Sequence, residues 1–428
     1  MPDDPHLLRP VTDEEFPAWA RLIGDTCGSD YTDEKLDRLR PLVELDRTIG
    51  AFDTSDTFGA SGAFAAGRPV GGTAAYSRVM TVPGGSLPVA GVTWVGVAAT
   101  HRRRGLLTAM MRRQLTEVYE GGGESIAALR PSEAAIYGRY GYGPATRGAR
   151  LRCAKKELRF LPGTDFGTGR VLLLPPDEAR PLIEEAYERA RVRTPGWPDR
   201  AARFWDFRLL DEPGERGGGT ALRYAVHHEP DGTVTGYALY RFASDEEVRV
   251  EELAATSRQA YAALWRYLAG IDLVSTITYE GAVDETLPHL LVDPRAVESS
   301  EVDRLWVRLV DVRRALAGRR YAVPAGTELD VVLDVADDFC PWNTGRYRLR
   351  ADGDDVSCER LAGGAGAADL SLTAAELGAA FLGGSTLAAL AAAGRVTELR
   401  PGALARTSAA FKGEREPHYP CGTAFPAY

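Results

Sequence analysis

Several things are scarce in this 428-residue chain, and each scarcity excludes a class of function. No apolar run reaches 18 residues, so no membrane-crossing helix is expected. Cysteine is sparse and badly spaced. Cys27, Cys153, Cys340, Cys358 and Cys421 are odd in number and contain no CxxC pair, which argues against a disulfide frame and a zinc site. They are expected as reduced thiols, and no metal is expected. Lysine is nearly absent, with four residues among 51 basic ones. The net charge of −9 argues against general nucleic-acid binding and is compatible with a cationic substrate. Two nucleotide motifs are also missing: no GxxxxGK[ST] occurs, and no GxGxxG follows a strand. The opening MPDDPHLL is acidic where a secretory signal is basic, so cytoplasmic residence is the expectation.

What is present is a soluble composition, 44% hydrophobic and 26% charged, on a chain too long for one core. Two or three domains are expected. The most informative stretch is Val92 to Thr146. It opens with the apolar run Val92 to Val97, which reads as a buried strand. Arg102, Arg103, Arg104 and Gly105 follow. Then Leu106, Leu107, Met110, Met111, Leu115 and Val118 recur at helical period. A strand, a basic glycine turn and a helix make a phosphate cradle: free helix N-terminal amides and the macrodipole favour an anion, and arginine adds permanent charge. The net positive charge is local to this turn.

The segment Arg102-Arg103-Arg104-Gly105-Leu106-Leu107 resembles the acetyl-CoA motif [Q/R]xxGx[G/A] of GNAT-type N-acetyltransferases, with Leu107 where most carry Gly or Ala. The longer strings VAATHRRRGLL and SEAAIYGRYGYGPAT closely resemble the Eis (enhanced intracellular survival) family of acetyltransferases. The resemblance implies an α/β (α+β) chain: tandem GNAT-like domains followed by a sterol-carrier-protein-like α+β domain. The expected boundaries are 1–150 for a catalytic GNAT domain, 151–294 for a degenerate second one, and 295–428 for the sterol-carrier-like domain. It also implies acetyl-CoA as co-substrate, an amine acceptor on a small molecule or peptide, and a homohexamer.

Along the chain, FPAWARLIG and TDEKLDRLRPLV read as helices interrupted at Cys27 to Asp30. Asp25, Asp30, Asp33 and Glu34 there either attract a cationic acceptor or are solvated caps. Asp30 and Trp94 are taken as acceptor-contacting residues. Strands are predicted at Thr48 to Phe52, Ala60 to Ala66, Gly72 to Met80, Ser86 to Val97 and Ser125 to Leu129, with a short helix from Ser132 capped by that serine. The order strand, turn, helix recurs at VRVEELAAT and SRQAYAALWRYLAGI, but the turn there carries one arginine and no glycine. From Leu305 the segment LWVRLVDV reads as the first strand of the third domain, whose LTAAELGAAFLGGSTLAALAAAGRV resembles the closing part of a sterol-carrier fold.

Acetyl transfer needs an anchored cofactor, a neutral amine, a stabilised oxyanion and a proton for the departing thiolate. Anchoring falls to the main chain of Val95, Gly96 and Val97, where a strand that splays exposes N–H and C=O groups, and to Arg103, Arg104, Gly105, Leu106, Leu107 and Thr108. A phenol suits the proton-donor role because it stays protonated at pH 7, but the residues alone do not choose among Tyr137, Tyr140 and Tyr142. The family resemblance assigns the acid to Tyr137, matches Ser132 and Glu133 to a pair beside the cofactor, and makes the free terminal carboxylate, here on Tyr428, the base. This tail carries Pro426 and Ala427 where relatives have an acidic residue before a terminal Phe. Two rival readings are a protein-lysine acetyltransferase and a non-enzymatic lipid- or acyl-CoA-binding protein.

Overall fold

The computed structural model describes residues 6–54, 67–244, 246–364 and 366–420. They fall into two compact units: one holds residues 6–145 and 305–413, the other 146–304 and 414–420.

The first unit begins with β1 (His6–Arg9), α1 (Phe16–Thr26), α2 (Asp33–Leu39), β2 (Thr48–Asp53), β3 (Arg68–Val82) and β4 (Gly85–Val97). It continues with α3 (Leu106–Gly121), β5 (Ile126–Leu129), α4 (Ala134–Tyr137) and β6 (Gly143–Pro144). Strands β3 and β4 form a long hairpin whose register closes at Val82↔Gly85, leaving Pro83-Gly84 as a two-residue turn. Proline fixes the first corner, and Gly84 takes the positive φ (78°) that the second requires. Helix α3 starts at Gly105 and stops at Gly122, both left-handed, and buries Leu106, Met110, Met111, Leu115 and Val118 as the periodicity predicts. The predicted strand Ala60 to Ala66 lies outside the described residues.

The second unit contains β7 (Arg147–Ala154), β8 (Arg170–Leu174), α5 (Pro176–Arg191), α6 (Ala202–Arg208), β9 (Arg223–His228), β10 (Val234–Ser244), β11 (Glu247–Ala255), α7 (Arg258–Ala269), β12 (Thr276–Ala282) and β13 (Val297–Asp303). Its seven strands run β13-β7-β12-β11-β10-β9-β8.

The chain then returns to the first unit with β14 (Trp306–Leu309), α8 (Val312–Ala317), β15 (Leu329–Ala336), β16 (Gly345–Asp352), β17 (Asp355–Arg360), β18 (Leu370–Thr373), α9 (Ala374–Ala380), α10 (Leu387–Ala392), β19 (Thr397–Glu398) and α11 (Ala403–Phe411). Strands β17-β16-β15-β18-β19 form a separate five-stranded sheet. Strand β14 does not join it. It enters the first sheet, whose order is β1-β2-β3-β4-β5-β14-β6, antiparallel to β5 from Trp306↔Leu129 to Leu309↔Ile126. LWVRL is therefore an interior strand of the first sheet, between β5 and β6, and not the opening strand of the last one. All four of its residues are buried, as an interior strand requires. Helix α9 packs on this insertion so tightly that a Cβ on Gly378 would come 2.2 Å from the Val307 carbonyl oxygen.

The described cysteines, Cys27, Cys153, Cys340 and Cys358, are all free, as expected. Among the described residues no helix is long and apolar enough to cross a membrane.

Candidate active site

The site is built where two parallel strands part. Strands β4 and β5 pair only from Val89↔Ile126 to Gly91↔Ala128. Beyond Gly91, β4 runs on to Val97 without β5 beside it. An extra residue sits in β4 at this point, since Ala74 pairs with Thr93 but Gly72 with Gly96. Trp94 within the bulge has a positive φ of 55°. That conformation costs a bulky residue on the order of 1–3 kcal/mol and persists only when neighbours enforce it. They do: the Trp94 indole N–H donates to the Tyr76 hydroxyl at 2.7 Å, and its ring stacks on Trp19 with centroids 5.3 Å apart. The bulge turns Trp94 into the core, 1% exposed, which leaves its side chain no surface for an acceptor. Val95, Gly96 and Val97 are half-buried along the parted edge. Gly96 is required there, because a Cβ would lie 2.4 Å from Oγ1 of Thr26 at the end of α1.

The strand leads directly into the arginine turn. Arg102, Arg103, Arg104 and Gly105 are exposed, and the three arginines carry no ion pair among the described residues. Arg103 (φ 63°) and Gly105 (φ 84°) both have positive φ, which curls the main chain before α3. No side chain caps the helix, so its first amides, including those of Leu106, Leu107 and Thr108, remain available to an anion. The second unit makes the contrast clear. There β11 and β12 part after Val250↔Tyr279, but the Ser257 side chain caps α7 by accepting from the Ala260 N–H. Just beyond that point in β11, Glu252 is buried and held by Arg200 (3.0 and 2.9 Å), Arg208 (3.2 Å) and the Tyr237 hydroxyl.

The three tyrosines separate cleanly. Tyr140 shares a 3.2 Å hydrogen bond with Thr108 in the first turn of α3 and packs against Phe339, so it braces the helix. The Tyr142 hydroxyl is fully buried with no partner among the described residues, and burial raises its pKa far above the ordinary phenol value. Tyr137 ends α4, in the apolar cluster of Val92, Leu115 and Ala127 against which Val95 and Leu107 pack. Burial, and then the neighbouring Cys27 thiol, push its pKa up to about 12, while Ser132 offers an opposing hydrogen bond. Ser132 and Glu133 are exposed, and the expected serine cap does not form: α4 starts at Glu133 without a side-chain cap.

Asp30 is exposed in the turn between α1 and α2. Tyr31 beside it is buried, and burial followed by Cys27 raises its phenol to about 12. Cys27 thus acts on both phenols, an influence that sequence reasoning missed because one thiol in a loop carries no pattern. Tyr428 lies outside the described residues.

Comparison with known proteins fits this geometry. Family models match residues 8–145 and 196–309 as acetyltransferase (GNAT) domains and residues 312–420 as a sterol carrier protein domain. The N-acetyltransferase Eis of Mycobacterium tuberculosis is 36% identical over 422 residues, 97% of this chain and 98% of the relative. The chain belongs to the Eis family of N-acetyltransferases. An uncharacterized N-acetyltransferase of Streptomyces avermitilis is 40% identical across 97% of this chain and 99% of its own. The crystal structure of Eis1 from Mycobacterium abscessus superposes with a TM-score of 0.80 at 33% identity, covering 96% of this chain and 99% of that one. This Eis-family chain is thus an acetyltransferase with two GNAT domains and a sterol-carrier-like domain. The non-enzymatic reading falls away.

Proposed function

We propose that this chain moves an acetyl group from acetyl-CoA to primary amines of polycationic, aminoglycoside-like acceptors, acting as a cytoplasmic homohexamer. One observation carries the reading: a parted strand, a helix N-terminus without a side-chain cap behind three exposed arginines, and a buried phenol packed in the same cluster as Val95 and Leu107. In it the amides of Arg104, Gly105 and Leu106 hold the pyrophosphate, with Arg103 and Thr108 flanking. The edge of Val95 to Val97 pairs with the pantetheine arm, and a main-chain N–H there polarises the thioester carbonyl. Ser132 and Glu133 border the cofactor, and Asp30 draws the cationic acceptor. The contrast with the second unit, where Ser257 caps α7 and Glu252 is tied up by Arg200, supports a single active site per chain.

The amine attacks the thioester carbon, the C–N bond forms, and the C–S bond breaks as the thiolate leaves. Tyr137 supplies the proton to sulfur and the terminal carboxylate of Tyr428 takes the one from the amine. A phenol near 12 stays protonated throughout the working range. Transfer to a free thiolate, whose acid has a pKa near 8.5, would be uphill by about 5 kcal/mol. The donation therefore belongs to the bond-breaking event itself, when amine deprotonation drives the proton relay.

The test is release of CoA thiol from acetyl-CoA across a panel of aminoglycosides, polyamines and lysine peptides. Turnover with the aminoglycosides, alone or together with the small polyamines, supports the proposal. Turnover confined to peptides would make this a protein-lysine acetyltransferase, and no turnover with any amine would refute the reading.

A further inference from the structure

We propose that His6, Asp53 and His101 form a zinc site that pins the turn before the arginine cradle to the first two strands. It departs from the expectation that the chain holds no metal, and it does not depend on which amine is acetylated. Three segments distant in sequence bring these residues together. His6 and Asp53 are directly paired across β1 and β2, which places them side by side on one face of the sheet edge. His101 arrives from the turn that follows β4. One ligand atom from each residue lies within 4.8 Å of the other two, and His101 Nε2 is 3.0 Å from Asp53 Oδ2.

The chemistry fits zinc better than a chance surface cluster. The Asp53 and His101 side chains are only 12% and 14% exposed, so the group is not a set of solvated acids. Two imidazoles and one carboxylate match the three-ligand zinc sites that leave a fourth position to water. Tetrahedral bonds of about 2.0–2.1 Å put ligand atoms roughly 3.3 Å apart. The observed spacing needs an adjustment of about an ångström or so, within reach of side-chain rotation. The far nitrogen of His101 is already engaged: Nδ1 is 2.8 Å from Thr100 Oγ1. With Nδ1–H donating to Thr100, the Nε2 lone pair faces Asp53 and His6, the arrangement metal-bound histidines adopt. The imidazole rings of His6 and His101 meet edge to face with centroids 5.6 Å apart, so both can turn toward one ion.

The experiment measures zinc in the tag-free full-length chain, by elemental analysis after dialysis and by competition with a chromogenic chelator. Wild type should hold one zinc per chain. His6→Ala, at an edge strand, and Asp53→Asn, which keeps the side-chain shape, should bind at least about tenfold more weakly. Both variants should melt like zinc-free wild type, and added zinc should raise the melting temperature of wild type alone. Cys27→Ser, which removes the exposed thiol, should bind as wild type does. Absence of stoichiometric zinc in wild type, equal affinity in the two ligand variants, or loss of binding in Cys27→Ser would overturn the assignment.

Discussion

The Tyr140 hydroxyl and Thr108 Oγ1 lie 3.2 Å apart, which ties the first turn of the cradle helix to the turn that directly follows Tyr137. The proposed cofactor clamp and the proposed proton donor are thereby linked through one hydrogen bond. Tyr140→Phe removes only this hydrogen bond and should cost about 1 kcal/mol of stability. The KM for acetyl-CoA should rise a few-fold while kcat stays close to wild type. Urea unfolding together with steady-state kinetics checks both.

The opening between β4 and β5 depends on Gly96. A methyl there meets Thr26 Oγ1, which itself donates to the Ile23 carbonyl at 2.7 Å. Gly96→Ala should therefore lower acetyl-CoA affinity by roughly tenfold, the equivalent of about 1.4 kcal/mol. Adding Thr26→Ala should restore part of it, since the clashing oxygen is gone. Calorimetric titration of acetyl-CoA into the single and double variants measures the rescue.

In the second unit Glu252 is buried between Arg200 and Arg208. Burial alone would raise its carboxyl, but the two guanidiniums outweigh burial and hold it down at about 2. Its folded value lies below the unfolded one, near 4.3. The stabilising contribution is thus complete above that unfolded value and is lost as pH falls toward 2. Glu252→Gln leaves two buried cations unpaired and should destabilise the chain by about 3–5 kcal/mol at pH 7. The variant should also show a shallower loss of stability between pH 4 and 2, measured by denaturant titration.

The cradle was legible in the sequence because its parts are contiguous: an apolar run, three arginines, a glycine and a helical period all lie within 27 residues, from Val92 to Val118. The same locality explains why Ser257, with its missing glycine, already separated the second domain from the first. What could not be read is non-local or conformational. Strand β14 joins β5 across more than 170 residues of sequence, and nothing in LWVRL says which sheet it enters. Trp94 reads in the sequence as an acceptor contact, and the bulge and positive φ that accompany its burial in the core are conformational features that no residue pattern announces. Cys27 and His6 are ordinary loop and strand residues until the fold brings Tyr137 to one and Asp53 to the other.

The role assigned to the chain terminus makes its own prediction. Extending the chain beyond Tyr428 by two glycines moves the free carboxylate away, so kcat should fall by roughly 10²-fold or more. Affinity for acetyl-CoA should hold, because the cradle of Arg103 to Thr108 is far along the sequence from the change. Unchanged turnover in the extended chain would remove the terminal carboxylate from the mechanism.

Tyr137→Phe tests the central claim most directly. The account predicts that kcat for acetyl transfer falls by about 10²- to 10⁴-fold while the Kd of acetyl-CoA stays within about twofold of wild type. Because the wild-type phenol is held near 12, its activity should show no alkaline limb from this group between pH 7 and 11. A Tyr137→Phe enzyme that turns over at the wild-type rate would contradict the account.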